Sequence, residues 1–296
     1  MKAKTKGLLA AHVSVVLFGA TGLFGKFIIL PSPIIVIGRV FFASFLLCAI
    51  LIVMKRSIKL RLWRDYKRMI VLGVLWAINL VSFFQSVQVS TVAIGVLSFA
   101  TFPIFTTFLE PLFNKEKITY ANVLIAITTM IGIVLVIPEF DFGNSVVKGL
   151  LWGLMSGFSL ALLSIFSRRY VPRYSSLVVT FYQNMVATIV LIPFLFLLKF
   201  ELTTGNISLL LLLGTIFSAI PHLLLINSLN STKAQLVSII LSLESVYGII
   251  FAIVFLNELP TARVILGGII IIGMSTYATL RFRKQKGADL EAVTQL

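Results

Sequence analysis

The sequence is short of the residues that soluble enzymes rely on. Of its 296 residues only 10 are Asp or Glu, 2 are His and 1 is Cys. The lone Cys48 lies inside an apolar run, which excludes a disulfide framework and a thiolate metal cluster. His12 and His222 are remote in sequence, and there is no HExxH helix, GxGxxG turn or Walker lysine loop. No polar stretch is long enough for an attached soluble catalytic domain, and the turn-rich segments of a sandwich, barrel or Rossmann fold are missing. No enzyme activity is therefore expected, and no cofactor or metal site.

What the chain has instead is apolar surface. Apolar residues make up 59% of it, and the mean hydropathy is +1.07. A soluble domain of this size has no means of hiding that much. At about 20 residues per spanning helix there is room for roughly ten crossings. Apolar runs fall at 7–29, 33–54, 67–87, 92–113, 119–137, 147–168, 175–198, 207–228, 234–256 and 262–280. Backbone groups in hydrocarbon must be paired within their own segment, so each run is read as helix in spite of its Val and Ile content. A transmembrane barrel needs polar and apolar residues to alternate, and they do not. The run from Gly7 onward is too long for a signal h-region and reads as the first span. The expected fold is thus an all-α integral membrane protein with ten transmembrane helices.

Charge gives the orientation. The net charge is +15, and 20 of the 25 Lys and Arg residues fall before the first run or in every second loop after it. Only Lys26, Lys148, Lys199 and Arg263 mark the other side, while Arg39 lies within a run. The positive-inside rule places both termini in the cytoplasm. The basic loop at 55–68 is then a lipid-facing linker rather than a nucleic-acid site. A channel is disfavoured because no repeated filter segment or pore loop appears.

The two halves also repeat. Lys6-Gly7-Leu8-Leu9 recurs as Lys148-Gly149-Leu150-Leu151, and Glu116 with Thr119 recurs as Glu258 with Thr261, at a separation of 142. Gly73 and Gly214, Thr91 and Thr232, and Gly132 and Gly273 match at 141. Five spans is an odd number, so the second copy enters the membrane with the opposite orientation. Such inverted-topology repeats are the symmetry of many alternating-access transporters.

Several segments carry a resemblance. They are Pro33-Ile34-Ile35-Val36-Ile37-Gly38-Arg39, the stretch from Ser86 to Ala93 leading to a run that contains Pro103, and Lys115-Glu116-Lys117-Ile118-Thr119. In the second half they are Ser228 to Ala234 and Asn257-Glu258-Leu259-Pro260-Thr261. Over residues 7 to 280 the chain resembles the drug/metabolite transporter superfamily, in its bacterial EamA-type branch of two five-helix repeats. The resemblance implies repeats at 7–137 and 147–280, a cytoplasmic tail at 281–296, and a multi-pass protein of the bacterial inner membrane. It departs from the family pattern where Lys115 and Asn257 replace the usual glycine before Glu, and where Glu244 and Ser245 occupy the second proline region. Relatives in that branch are mostly exporters of amino acids and related metabolites. That is the function expected, with a multidrug or nucleoside-type carrier and a non-transporting membrane scaffold as alternatives.

Polar residues within apolar runs are the candidate substrate-binding groups. Glu244, about ten residues into the ninth run, is suited to a substrate ammonium or to a coupling proton. Arg39 is suited to a substrate carboxylate, or to snorkelling toward the nearer surface. His222, just after Pro221, and the amides Asn79 and Asn184 offer donors and acceptors for recognition or for helix pairing. Trp76, Phe83 and Tyr247 are candidate apolar wall. Glu116 and Glu258 are expected to complement the positive helix ends that follow them. The expected partners are a small-molecule substrate, membrane lipids and a coupling proton, with no nucleic acid, in a monomer or homodimer.

Overall fold

The computed structural model describes residues 2–114, 120–136, 144–170, 174–229, 240–241 and 243–294, and among these there is helix and no strand. The helices are α1 Lys2–Phe27, α2 Ser32–Val53, α3 Trp63–Val89, α4 Val92–Phe99, α5 Phe102–Asn114, α6 Tyr120–Val136 and α7 Ser145–Tyr170. They continue with α8 Ser176–Leu191, α9 Phe194–Leu197, α10 Thr204–Gly214, a π-helical turn Thr215–Ala219, α11 Ile220–Leu229, α12 Glu244–Leu256 and α13 Ala262–Thr294.

Seven segments among the described residues are long and apolar enough to cross a membrane, and three shorter apolar helices, Tyr120–Val136, Glu244–Leu256 and Ala262–Tyr277, coincide with the remaining runs. The ninth run begins at 234, and its first residues lie outside the described ones, as does Glu116. α13 continues to Thr294 without a break at 281.

Three of the apolar runs are interrupted, and proline is near each interruption. The fourth run divides at Ala100 and Thr101, with Pro103 in the first turn of α5, where a missing N–H costs nothing. The seventh divides before Pro193. In the eighth, Pro221 has no N–H to give the carbonyl of Phe217, four residues earlier. The helix relaxes into the π turn just ahead of Pro221, and neighbours take over the pairing. Thr21 Oγ1 makes a long hydrogen bond of 3.4 Å to the Phe217 carbonyl, and Ser14 Oγ donates to that of Pro221 at 2.7 Å.

Helix order and packing follow the repeat. Shifted by 142 residues, α1 falls on α7, α2 on α8 and α9, α3 on the α10–α11 unit, α5 on α12 and α6 on the start of α13. The packing is exchanged by the same shift. α3 packs on α7 as α11 packs on α1, α3 on α8 as α10 on α2, and α5 on α7 as α12 on α1. The pairs α2 with α8 and α6 with α13 join each element to its own counterpart. The counterparts Gly73 and Gly214 serve equivalent contacts. A Cβ on Gly73 would overlap the Val186 side chain of α8, and one on Gly214 would come within 2.6 Å of the Arg39 carbonyl of α2.

Polar ties hold this packing where hydrocarbon offers no solvent. Asn79 Nδ2 of α3 donates to the carbonyl and Oγ of Ser156 on α7, at 2.8 and 2.9 Å, and Ser156 Oγ reaches back to the Asn79 carbonyl. Toward the end of the bundle where α2 begins, Lys26 Nζ donates to the Ser90 carbonyl at 2.6 Å and lies 4.0 Å from Glu258. Glu258 accepts from Val92 N at 2.8 Å. It does complement a helix N-terminus, but that of α4 rather than the α13 helix following it, because α13 begins four residues later. Asn257 shows what its substitution for glycine must satisfy. It ends α12 in the left-handed region, φ 54° and ψ 27°, a conformation that Asn tolerates better than most residues.

Gly73→Val tests the α3–α8 contact. It should lower the melting temperature of the detergent-solubilised protein, corresponding to about 1–3 kcal/mol for overpacking, and Val186→Ala should recover part of the loss. A melting temperature unaffected by Gly73→Val would show that α3 and α8 do not meet there.

Candidate functional site

A cavity of about 440 Å³ lies in the middle of the bundle, walled by residues of both halves. Its walls come from α1, α2, α3, α5, α7, α8, α11, α12 and α13, with Phe99 at the end of α4. Six of the eight candidate residues are in the wall: Arg39, Trp76, Asn79, Phe83, His222 and Glu244.

Arg39 is seven residues into α2, about 10 Å from its start at 1.5 Å per residue, and only 6% exposed. Its guanidinium carbon stands 5.7 Å from the Phe84 ring centroid, a cation–π arrangement. No described residue accepts a hydrogen bond from its guanidinium. Glu244 is the first residue of α12, where the helix N-terminus favours a carboxylate. It too has no hydrogen-bond donor among the described residues, and the ion pairs found do not include one between it and Arg39. Two side chains of opposite formal charge therefore border one cavity with their hydrogen-bonding capacity unspent.

The neutral groups are more committed. His222 Nε2 and Thr180 Oγ1 are 2.8 Å apart, with donor and acceptor set by the imidazole tautomer. Asn79 spends its amide N–H groups on Ser156, yet it keeps a place in the cavity wall. Asn184 stands behind the wall. Its Oδ1 accepts from Trp76 Nε1 at 3.3 Å and its Nδ2 donates to the Thr180 carbonyl at 2.8 Å. Both ends of the amide are used to position two residues that do line the cavity. Tyr247 is turned toward α1, beside Gly19 and against the cluster of Ala11, Val15 and Ile240. His12 and Trp152, also aromatic residues inside apolar runs, lie on the outer surface.

Sequence reasoning did not pick out Phe18, Thr21, Phe99, Ser164 or Thr180, all of which line the cavity. A signal for several of them was present in the repeat. Phe18 and Leu160, Thr21 and Leu163, Leu80 and His222, and Phe83 and Leu225 are separated by 142 residues, and both members of each pair are in the wall. The same holds for Phe99 with Leu241, Phe102 with Glu244, and Pro103 with Ser245. The cavity is thus built from equivalent positions of the two copies.

The profile of the EamA-like transporter family matches residues 5–137 and again residues 147–278. The chain belongs to the EamA-like transporter family. Its two family repeats and its long apolar helices make it a multi-pass membrane protein and a transporter, not an enzyme. This EamA-like transporter is 26% identical over 304 residues to the uncharacterized transporter YxxF of Bacillus subtilis, covering 99% of this chain and 97% of that protein. It is 26% identical to an S-adenosylmethionine uptake transporter of Rickettsia bellii, over 68% of each chain. It is 25% identical to the pseudopaline exporter CntI of Pseudomonas aeruginosa, over 69% of this chain and 72% of that one. A solved crystal structure shares its fold with a TM-score of 0.64 at 15% identity, covering 95% of this chain and 99% of the other.

Thiol labelling checks the cavity wall. In a Cys48→Ala background, Ser164→Cys should react with a small charged methanethiosulfonate, since labelling follows access of water to the thiolate, and Asn184→Cys should stay unreactive. Equal labelling of the two would remove the distinction between wall and backing residues.

Proposed function

We propose that this EamA-like transporter is a secondary carrier that exports amino acids or related small amphipathic metabolites by alternating access. One observation carries the reading: the cavity is bounded by equivalent positions of the two repeats and has Arg39 and Glu244 in its wall. A site on the axis relating inverted repeats can be opened to either side by rocking one copy against the other. The volume lies in the ~300–1,000 Å³ range of small-molecule sites, and the wall combines aromatic area with a few polar groups. A cavity holding an acid and a base counts against a membrane scaffold, for which a sealed apolar interior would serve. Relatives named for S-adenosylmethionine uptake and for pseudopaline export support a small-metabolite cargo.

In this reading the ten apolar runs are ten spans, grouped as repeats at 7–137 and 147–280 with a cytoplasmic tail at 281–296. Both termini face the cytoplasm of a bacterium, and the membrane is the inner one. The basic loops support that orientation, which puts Lys26, Ser90 and Glu258 at the outer end. Asn79, His222, Trp76 and Phe83 complete the substrate site around the two charged groups, Asn184 fixes Trp76 from behind, and Tyr247 acts through its packing on α1. Glu244 also serves as the coupling group, exchanging its proton as the site changes sides, with Arg39 and His222 the other titratable groups on the same cavity.

Counterflow into proteoliposomes tests the carrier. Purified protein should accelerate saturable exchange of one class from a panel of amino acids, amines and nucleosides. Absence of exchange for every class by folded protein would favour the scaffold instead. Coupling has its own test. Transport by the native protein should respond to an imposed pH gradient, and the transport that Glu244→Gln retains at saturating substrate should lack that response. A variant that remains equally sensitive would remove Glu244 from the coupling role.

A further inference from the structure

Resting on the carrier reading above, we propose that Arg39 and Glu244 are the two poles of a site for a zwitterion with an apolar side chain. Arg39 takes the carboxylate, Glu244 takes the ammonium, and the aromatic side of the cavity takes the rest.

The first support is that neither group spends its hydrogen bonds or forms a direct ion pair among the described residues, although the two charges face one cavity. A guanidinium 94% removed from its reference exposure and lacking any acceptor among the described residues is costly to hold. The Phe84 ring, 5.7 Å from the guanidinium carbon, accepts no N–H hydrogen bond in this arrangement, and the donors are left for the planar bidentate acceptor that a carboxylate provides. Glu244 has two oxygens without donors, and an alkylammonium supplies up to three N–H groups.

The second support is asymmetry. A duplicated cavity would be equally polar on both sides, yet at each equivalent position the charge or ring nitrogen occurs in one copy only. Glu244 is opposed by Phe102, and His222 by Leu80. Arg39 has Thr180 as its counterpart at a separation of 141, the offset that also relates Gly73 to Gly214. Phe18, Phe83 and Phe99 of the first copy face Leu160, Leu225 and Leu241 of the second. The two poles therefore come from different copies, Arg39 from the first and Glu244 from the second, each without a charged equivalent opposite it, and the rings Phe18, Phe83 and Phe99 add apolar area on the first-copy side, as an asymmetric, amphipathic ligand requires.

Depth supplies the direction. Arg39 is about 10 Å from the start of α2, and Glu244 is twelve residues, about 18 Å, from the end of α12 at the same end of the bundle. The ligand's carboxylate thus points toward the Lys26 and Glu258 end, with its ammonium deeper.

Binding to the full-length protein in detergent provides the test, read as the rise in melting temperature across concentrations of leucine, 3-methylbutylamine and N-acetylleucine. These share one apolar side chain, and the second and third lack the free carboxylate or the ammonium. Leucine should bind at least about tenfold more tightly than either, because a site built to pair a group rejects the analogue without it. Arg39→Gln should bring leucine level with the amine, and Glu244→Gln should bring it level with the acetylated acid. Equal binding of all three by the native protein, or binding of none, would overturn the assignment without recourse to any variant. Leucine preference in binding combined with no counterflow would sustain this site and sink the carrier reading. Counterflow of compounds without both charges, at the rate of leucine, would sustain the carrier and sink the site.

Discussion

In a hydrocarbon environment every backbone carbonyl must find a donor inside the protein, and the organisation of this transporter depends on how that rule is met where helices break. A continuous helix meets it alone. An interruption frees groups that neighbours can satisfy, and two of them are met by a hydroxyl or a charge from another part of the chain. Pro221 leaves the Phe217 carbonyl without its usual partner, and α1 answers with Thr21, while Ser14 of the same helix donates to the carbonyl of Pro221 itself. The start of α4 exposes the Val92 N–H, and Glu258 answers from the far end of the chain. The bonds that repair a break therefore also join elements, and with the glycine contacts they set how closely the two halves approach.

That placement accounts for the cavity. Helix interruptions near the middle of the bundle, at Ala100 and at the π turn before Pro221, put Phe102 and His222 against the same space. Breaks that were fully repaired by their neighbours would leave a sealed interior. Here Arg39 and Glu244 are not consumed by any repair, and Asn79, although tied to Ser156, still reaches the wall. The chain thus separates two kinds of polar residue, those that hold helices together and those that stay available. Asn184 belongs to the first kind, which explains why a midplane amide of the right chemistry stands one layer behind the site.

Much of this was legible in the sequence because membrane folding is governed by strong, local rules. Among the described residues the helices lie where the apolar runs predict, the two-repeat order follows from matches at 141 and 142, and the charged candidates line the cavity because charge inside an apolar run is costly anywhere else. Side-chain direction was not legible. Asn184 and Asn79 look alike as midplane amides, and only the facing residues, Trp76 for one and Ser156 for the other, separate them. Tyr247 looks like wall until Gly19 is seen to admit α12 close to α1. Thr180 and Thr21 are lost among many hydroxyls that bond to their own helix, and the π turn leaves no mark beyond the proline that follows it. The glycine replaced by Asn257 looked like a departure from pattern, whereas its left-handed backbone keeps the geometry that glycine would give.

The same contrast bears on how a symmetric scaffold comes to enclose an asymmetric cavity. Duplication supplies equivalent positions on both sides of the cavity, and substitution need alter only one of each pair to give it polarity. Phe102 and Glu244 illustrate this most directly: identical places in the two copies, one apolar and one acidic. The helices that pack on each other, with Gly73 on α8 and Gly214 on α2, keep their equivalence because so close an approach leaves no room for a side chain in either copy. Wall residues present part of their surface to open space, where a change of side chain is less constrained by a neighbour. Symmetry is therefore retained in the close packing and lost in the cavity lining, where Phe102 and Glu244, and Leu80 and His222, stand as equivalents of opposite character.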